Sequence, residues 1–92
     1  MNNKLQTLRA EIDQIDAQII SLLIDRQAVV GNIAAQKAAQ QLPTADPNRE
    51  STVIAQLQQL AGGQLPPALI ETLYTTIFAH SKAVQTQLRK QQ

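Results

Sequence analysis

One helical pattern, from residue 5 to residue 40, constrains the fold of this 92-residue chain more than any other feature. The segment contains no proline and a single glycine, Gly31, and its apolar residues recur every three or four positions. Arg26 lies in a gap of this apolar stripe, whose members are Leu8, Ile12, Ile15, Ile19, Leu22, Val30 and Ile33. The pattern predicts one uninterrupted helix.

The predicted first helix is too long for a compact monomer. About 36 residues at 1.5 Å each span roughly 54 Å, whereas a compact chain of this size has a radius of gyration of about 12 Å and a diameter of about 30 Å. Two shorter helices cannot cover the whole apolar stripe, but a second copy of the chain can. We therefore expect an intertwined homodimer. A single extended coiled-coil dimer is the alternative. A compact bundle is favoured because prolines mark the points where the chain turns back to form two further helices.

Two further helices are predicted from proline and glycine. Pro43 disfavours helix just before it, and the pair Asp46-Pro47 is typical of an N-cap followed by proline in the first helical turn. Gly62-Gly63 ends the second helix, and Pro66-Pro67 begins the third. The predicted helices cover residues 5–40, 47–60 and 67–89. Helical spacing puts on one face of the second helix Glu50, Val53, Leu57 and Leu60, and on one face of the third Ile70, Tyr74, Ile77, Ser81, Gln85 and Leu88. The fold class is thus all-α, with one domain over residues 1–92 and two chains forming a helical-bundle homodimer.

The composition disfavours several classes of function. The formal net charge of +1 gives no electrostatic reason to bind nucleic acid or an anionic membrane. Without cysteine there is no disulfide framework, thiolate nucleophile or zinc finger. No apolar run approaches the roughly 18 residues of a membrane span, and the first residues lack the apolar core of a signal peptide. We expect a cytoplasmic protein.

Polar residues occupy positions of the helical pattern where a core would need apolar ones. They are Arg26 and Lys37 in the first helix, Glu50 in the second, and Ser81 and Gln85 in the third. Singly, each has a structural explanation, such as a cation that extends to solvent or a hydroxyl bonded to the backbone. Together they place cations and hydrogen-bonding groups on the inner faces of all three helices. This predicts a polar cavity for an anion, since guanidinium groups bind carboxylates bidentately.

Residues of covalent and metal catalysis are scarce. The single histidine, His80, is expected at the surface or at a dimer contact. No Ser-His-Asp set and no cluster with metal-ligand spacing can be assembled, and Gly62-Gly63 is a helix end rather than a phosphate loop. An enzyme with this sequence is expected to need no nucleophile, metal or cofactor, and to act through orientation and charge complementarity.

Longer segments resemble a known family. LRAEIDQIDAQIISLLIDRQAVVGNIAAQK, PTADPNRE and IFAHSKAVQ are similar to the all-helical class of chorismate mutase along nearly the entire chain. The pattern joins L-R-x-x-I-D-x-I-D, then D-R sixteen to seventeen residues after that Arg, a Lys eleven further on, and D-x-x-R-E nine after the Lys. The resemblance implies an enzyme without cofactor that rearranges chorismate to prephenate, towards phenylalanine and tyrosine, by a unimolecular Claisen shift.

The resemblance also implies roles for individual residues. Arg9 and Arg26 would bind the two carboxylates of the substrate. Lys37 and Gln85 would donate hydrogen bonds to the ether oxygen, where negative charge grows as the C–O bond breaks, and Glu50 would hold the ring hydroxyl. The remaining substrate-binding positions would be Asp46, through its backbone, Arg49 and Ser81.

The two arginines are too far apart on one helix to bind the same molecule. Arg9 and Arg26 are separated by 17 residues, hence by about 25 Å, which a molecule of chorismate's size cannot bridge. If both bind one substrate, they must come from different chains, as in the swapped-helix dimer that the resemblance implies.

Two other functions remain open. The first is an isochorismate–pyruvate lyase on the same scaffold, which uses similar cations; Glu50 together with Asp46 favours the mutase. The second is a non-catalytic helical dimer whose inner polar groups set pairing specificity. Phe78 and Lys82 stand where relatives often have aliphatic residues, so turnover and substrate affinity do not follow from the resemblance.

Overall fold

The computed structural model describes residues 3–91, and within that range the chain forms three helices and no strand. They are α1 (Asn3–Ala39), α2 (Pro47–Ala61) and α3 (Pro67–Lys90). The predicted all-helical fold with one very long N-terminal helix is confirmed. In the described part of the chain, no helix combines the length and the apolar character that a bilayer crossing requires.

α1 ends at Ala39, where the backbone turns into the left-handed region. Gln41 has a φ of 59°, and the backbone N–H of Leu42 donates to the carbonyl of Lys37 over 2.8 Å. Such a bond satisfies one of the carbonyls that a helix leaves unpaired at its C-terminus. The same turn fixes the backbone of Lys37, which lies in the last turn of the helix.

α2 has side-chain and backbone caps at its two ends. The predicted N-cap is confirmed, because Asp46 Oδ1 accepts a hydrogen bond from the backbone N–H of Arg49 at 3.1 Å. At the other end Gly62 adopts the left-handed conformation, with a φ of 59°, and donates to the carbonyl of Gln59. A residue without Cβ takes this conformation at no steric cost. These caps define the helix that presents Glu50 in its first turn.

α3 packs against the C-terminal part of α1, and the two helices run in the same general direction. Arg26 of α1 contacts Ser81 of α3, and farther along Leu88 packs beside Gly31. Because residue numbers increase together along this contact, the ends of α1 and α3 that carry Lys37 and Arg89 lie on the same side of the molecule.

α2 lies along the other side of α3 and runs antiparallel to it. Lys82 pairs with Glu50 near the start of α2, and Gln58 near its end donates to the carbonyl of Pro67. Over the residues described, α3 contacts both other helices, while α1 and α2 do not pack against each other. A space bounded by all three helices therefore opens between α1 and α2.

The buried residues follow the predicted face of α3 but only the end of the predicted face of α1. On α3, Ile70, Ser81 and Gln85 are buried, and Tyr74, Ile77 and Leu88 are half-buried. On α1, Val30 is the one member of the predicted stripe that is buried; Leu22 is 66% exposed. The reason is that α3 packs against the C-terminal part of the longer helix and leaves its N-terminal part uncovered. Towards the end of α2, Leu60 is 81% exposed.

The chain is a flat, elongated layer rather than a globule. Its extents are 60 × 29 × 15 Å and its radius of gyration is 17.0 Å, against about 12 Å for a compact chain of this length. The smallest extent is close to the diameter of one helix with side chains, about 10–12 Å. Among the residues described, no large side chain is fully buried. A single copy thus lacks an enclosed hydrophobic core.

Candidate active site

A polar cavity of about 550 Å³ lies between the C-terminal part of α1, the loop before α2, and the facing sides of α2 and α3. This volume falls within the roughly 300–1,000 Å³ of small-molecule sites. Seven of the eight predicted site residues line it: Arg26, Lys37, Asp46, Arg49, Glu50, Ser81 and Gln85. The other, Arg9, is exposed near the start of α1, 17 residues before Arg26, and a single chain does not bring it to the cavity.

The charges around the cavity are mostly positive. Four cations and two carboxylates line it, namely Arg26, Lys37, Arg49 and Lys82 with Asp46 and Glu50. Their formal sum is +2, whereas the whole chain carries +1. A concave surface with this excess attracts a small anion, since low-dielectric walls focus the field of the lining charges.

Arg26 is held in the cavity wall by contacts from α3. Its Nη1 donates to Ser81 Oγ at 2.7 Å, and Ser81 Oγ in turn donates to the carbonyl of Ile77 at 3.0 Å. The guanidinium also lies over the ring of Phe78, 5.8 Å from its centroid, a distance within the reach of a cation–π contact. Because a guanidinium has five N–H donors, this arrangement orients the group and leaves donors for a ligand.

Lys37 is anchored to the loop between α1 and α2. Its Nζ donates to the carbonyl of Thr44 at 2.9 Å, and its side chain is half-buried. The loop is held from the other side by Arg89, whose Nη2 donates to the carbonyl of Leu42 at 2.7 Å. An ammonium has three donors, so Lys37 can bind a ligand oxygen while it remains attached to the loop.

Gln85 is buried with an unsatisfied polar atom. Gln85 is 6% exposed, and its Oε1 has no hydrogen-bond partner in the part of the chain that the structure describes. Rotation of the amide by 180° would exchange Oε1 with Nε2, so the cavity can be offered either an acceptor or a donor. Buried polar groups in proteins are nearly always paired. The orphan amide therefore points to a polar ligand.

Glu50 and Asp46 provide the acidic side of the cavity. Oε2 of Glu50 lies 3.3 Å from Nζ of Lys82. The carboxylate of Asp46 caps α2, while its carbonyl accepts the backbone N–H of Glu50 at 3.1 Å. Arg49 lines the same region with an exposed side chain.

His80 lies outside the polar cavity, at the exposed position that the sequence predicts. Its Nε2 is 3.2 Å from Oε1 of Gln27 on α1. Both residues line a separate, mostly apolar groove between α1 and α3 of about 310 Å³.

The structure adds cavity residues that the sequence did not identify. Thr44 contributes a backbone carbonyl, which no side-chain pattern reveals, and Tyr74 packs edge-to-face on Phe78 with ring centroids 5.8 Å apart. The helical period of α3 places Tyr74 on the buried face, and this position was the one indication in the sequence that Tyr74 could line a cavity.

An all-helical chain with a cationic, small-molecule-sized cavity and a buried unpaired amide has the features of an enzyme that binds a small anion. The family described as chorismate mutase type II matches residues 8–86. The chain therefore belongs to the chorismate mutase type II family, whose members are isomerases.

Individual relatives agree with this assignment. The chain is 28% identical over 88 residues to a chorismate mutase of Methanocaldococcus jannaschii, and the match covers 95% of this chain and 89% of that protein. Chorismate mutase (form II) from Thermus thermophilus has a similar solved structure, with a TM-score of 0.87 and 31% identity over 91% of this chain and 96% of that one. A conserved hypothetical protein from Pyrococcus furiosus has a TM-score of 0.74 and 35% identity, with 92% and 99% of the chains covered.

Proposed function

We propose that this chain catalyses the rearrangement of chorismate to prephenate, on the route to phenylalanine and tyrosine, in the cavity between its helices. The observation that carries the proposal is the convergence of Arg26, Lys37 and Gln85 on one cavity from two helices. A unimolecular rearrangement needs its substrate held in a reactive conformer and needs donors where charge develops in the transition state. Cations and a buried amide supply both.

Arg26 is the proposed site for one carboxylate of the substrate. Ser81 and Phe78 hold the guanidinium from two directions, and a fixed planar fork binds a carboxylate through two parallel hydrogen bonds. Arg49 is proposed to complete the carboxylate surroundings. This positioning favours the compact conformer in which the two ends of the substrate can react.

Lys37 and Gln85 are the proposed donors to the ether oxygen. As the C–O bond breaks, this oxygen gains negative charge, so an ammonium on α1 and an amide N–H on α3 bind the transition state more tightly than the substrate. The anchoring of Lys37 to Thr44 and the burial of Gln85 support the role. Donors that are already in place need no reorganisation during the reaction.

Glu50 is the proposed acceptor for the ring hydroxyl, with the backbone of Asp46 assisting. The N-cap at Asp46 fixes the first turn of α2, and Glu50 projects from that turn into the cavity. A carboxylate at this point also favours the mutase over the lyase alternative, because a lyase substrate site on this scaffold lacks that acidic partner.

We further propose that two copies of the chain form the active enzyme and that Arg9 enters the cavity of the partner subunit. Nine large apolar side chains between Leu5 and Ile24 are 38 to 66% exposed. At about 25 cal/mol per Å² of apolar area, burial of such a face gives a strong driving force for association. The same helix of a second copy has the length and the apolar stripe to cover it.

The domain and its location remain proposals as well. We propose that residues 1–92 act as a single catalytic domain and that it works in the cytoplasm. The continuity of the cavity with all three helices supports the first statement.

The test is to incubate the purified protein with chorismate and, separately, with isochorismate, without added metal or cofactor. Substrate loss and product identity are followed by NMR. We expect prephenate, and a loss of turnover by at least about 100-fold in Arg26→Leu with the helical circular dichroism signal retained. Salicylate and pyruvate from isochorismate would instead identify a lyase. A folded protein that converts neither substrate, or an Arg26→Leu variant as active as the parent, would contradict the proposed function.

A further inference from the structure

We propose that Lys82 is a positioning residue for the substrate hydroxyl: it holds Oε2 of Glu50 so that the other carboxylate oxygen, Oε1, accepts that hydroxyl. The inference rests on the proposed function of Glu50 and extends it to a residue that the proposed mechanism does not otherwise use. It makes the ion pair, rather than Glu50 alone, the unit that recognises the hydroxyl.

The pair crosses from one wall of the cavity to the other. Lys82 follows Ser81 on α3, Glu50 lies in the first turn of α2, and both side chains line the cavity with Nζ and Oε2 3.3 Å apart. Within residues 3–91 this is the one ion pair shorter than 4.0 Å. The structure therefore places this charge pair at the proposed substrate site.

The other cations of the cavity are held by different groups. Arg26 donates to Ser81, and Lys37 donates to the carbonyl of Thr44. Arg49 lies next to Glu50 on the same helix, but its side chain is exposed. By its contact, Lys82 is the cation that fixes the orientation of the Glu50 carboxylate.

Stability of the fold does not account for this pair. The side chains of Lys82 and Glu50 are 40% and 27% exposed, and solvent-exposed ion pairs contribute little to folding because water screens them. When a substrate fills the cavity and displaces water, the same attraction strengthens. A glutamate alone has a freely rotating carboxylate, whereas a cation on one oxygen directs the other towards the ligand.

The experiment compares two substrates in the parent protein and in variants of Lys82. The substrates are chorismate and a chorismate analogue without the ring hydroxyl. The main variants are Lys82→Met and Lys82→Arg, and Lys90→Met is the control. Lys90 lies on the same helix, is exposed and does not line the cavity. Circular dichroism and thermal unfolding confirm that each variant folds, with Lys82→Gln as a second charge-removing variant.

We expect Lys82→Met to lower kcat/KM for chorismate by about 10- to 100-fold, because misplacement of a catalytic group by about 1 Å can cost about 100-fold. For the analogue without the hydroxyl we expect no change. Lys82→Arg should recover most of the activity, and Lys90→Met should match the parent. In a Glu50→Gln background, Lys82→Met should have no further effect, since the positioned group is already altered.

Two results would overturn the inference while leaving the proposed function intact. One is an equal loss for both substrates, which would show a general attraction for anions rather than recognition of the hydroxyl. The other is unchanged activity in Lys82→Met while the parent converts chorismate. A parent protein that does not convert chorismate would overturn the proposed function and this inference together.

Discussion

The amide of Gln85 is buried at a cost to folding, and its proposed catalytic role offers a reason for that cost. Its side chain is buried, and within the described part of the chain Oε1 lacks a hydrogen-bond partner. An unsatisfied buried polar atom costs about 1–3 kcal/mol of folding free energy. If the substrate satisfies this amide, the cost is recovered only when the cavity is occupied.

Replacement of this amide by an apolar group of similar size is therefore expected to separate stability from activity. We expect Gln85→Leu to raise the free energy of unfolding by about 1 kcal/mol and to lower kcat by about 10²–10³-fold through loss of the donor to the ether oxygen. Urea unfolding at equal protein concentration and steady-state kinetics measure the two effects.

Gln87→Leu is the matched control, since Gln87 lies on the same helix but is exposed. This control should change neither the free energy of unfolding nor kcat appreciably. A Gln85→Leu protein that is less stable than the parent and equally active would show that the amide belongs to the core rather than to the site.

At the scale of single residues, the sequence indicated which positions face inwards but not what they contact. Helical spacing placed Lys37 and Gln85 on inner faces, as the structure has them. The bond from Lys37 to Thr44 depends on the backbone of a loop, and the pairing of Lys82 with Glu50 depends on how two helices cross. Neither leaves a periodic signal in a single sequence.

Among the elements, the start of α2 connects folding most directly to the site. Asp46 Oδ1 accepts the backbone N–H of Arg49, and the next residue is Glu50, which faces the cavity. The carboxylate of Asp46 thus fixes the turn from which the proposed hydroxyl acceptor projects.

We expect Asp46→Ala to lower the free energy of unfolding by about 1 kcal/mol, the usual effect of losing an N-cap. It should also lower kcat/KM, because the first turn of α2 frays and Glu50 moves. Asp46→Asn retains the capping oxygen and should keep most of the stability and most of the activity. Thermal unfolding and kinetics on the same samples provide the comparison, and equal damage in the two variants would rule out capping as the cause.

Proline and glycine in the sequence predicted the two ends of α2 and the start of α3 to within one residue. The end of α1 was harder to predict. The helix stops at Ala39 because Gln41 takes a left-handed conformation, and glutamine does not favour this conformation as glycine or asparagine does. The parallel packing of α1 with α3 also could not be predicted from periodicity, which gives a buried face but no direction for the neighbour.

For the whole molecule, the dominant fact is that one chain forms a single layer with most of α1 uncovered. The chain is 60 Å long, and the large apolar residues from Leu5 to Ile24 are exposed. The length of the helical pattern in the sequence already predicted that one chain cannot cover the apolar residues of its first helix. Its proposed solution, a second chain, would also bring Arg9 to a cavity that its own chain cannot reach.

The most direct test of this claim is to mix two variants that each lack one arginine, Arg9→Ala and Arg26→Ala. Each is expected to be nearly inactive alone. After joint unfolding and refolding at equal amounts, half of the dimers should contain one chain of each kind, and one of the two sites in such a dimer should have both arginines intact. Random pairing in a two-fold dimer therefore predicts about one quarter of the parental activity. If the mixture forms mixed dimers but is no more active than the separate variants, the two arginines do not meet across chains, and the shared site is wrong.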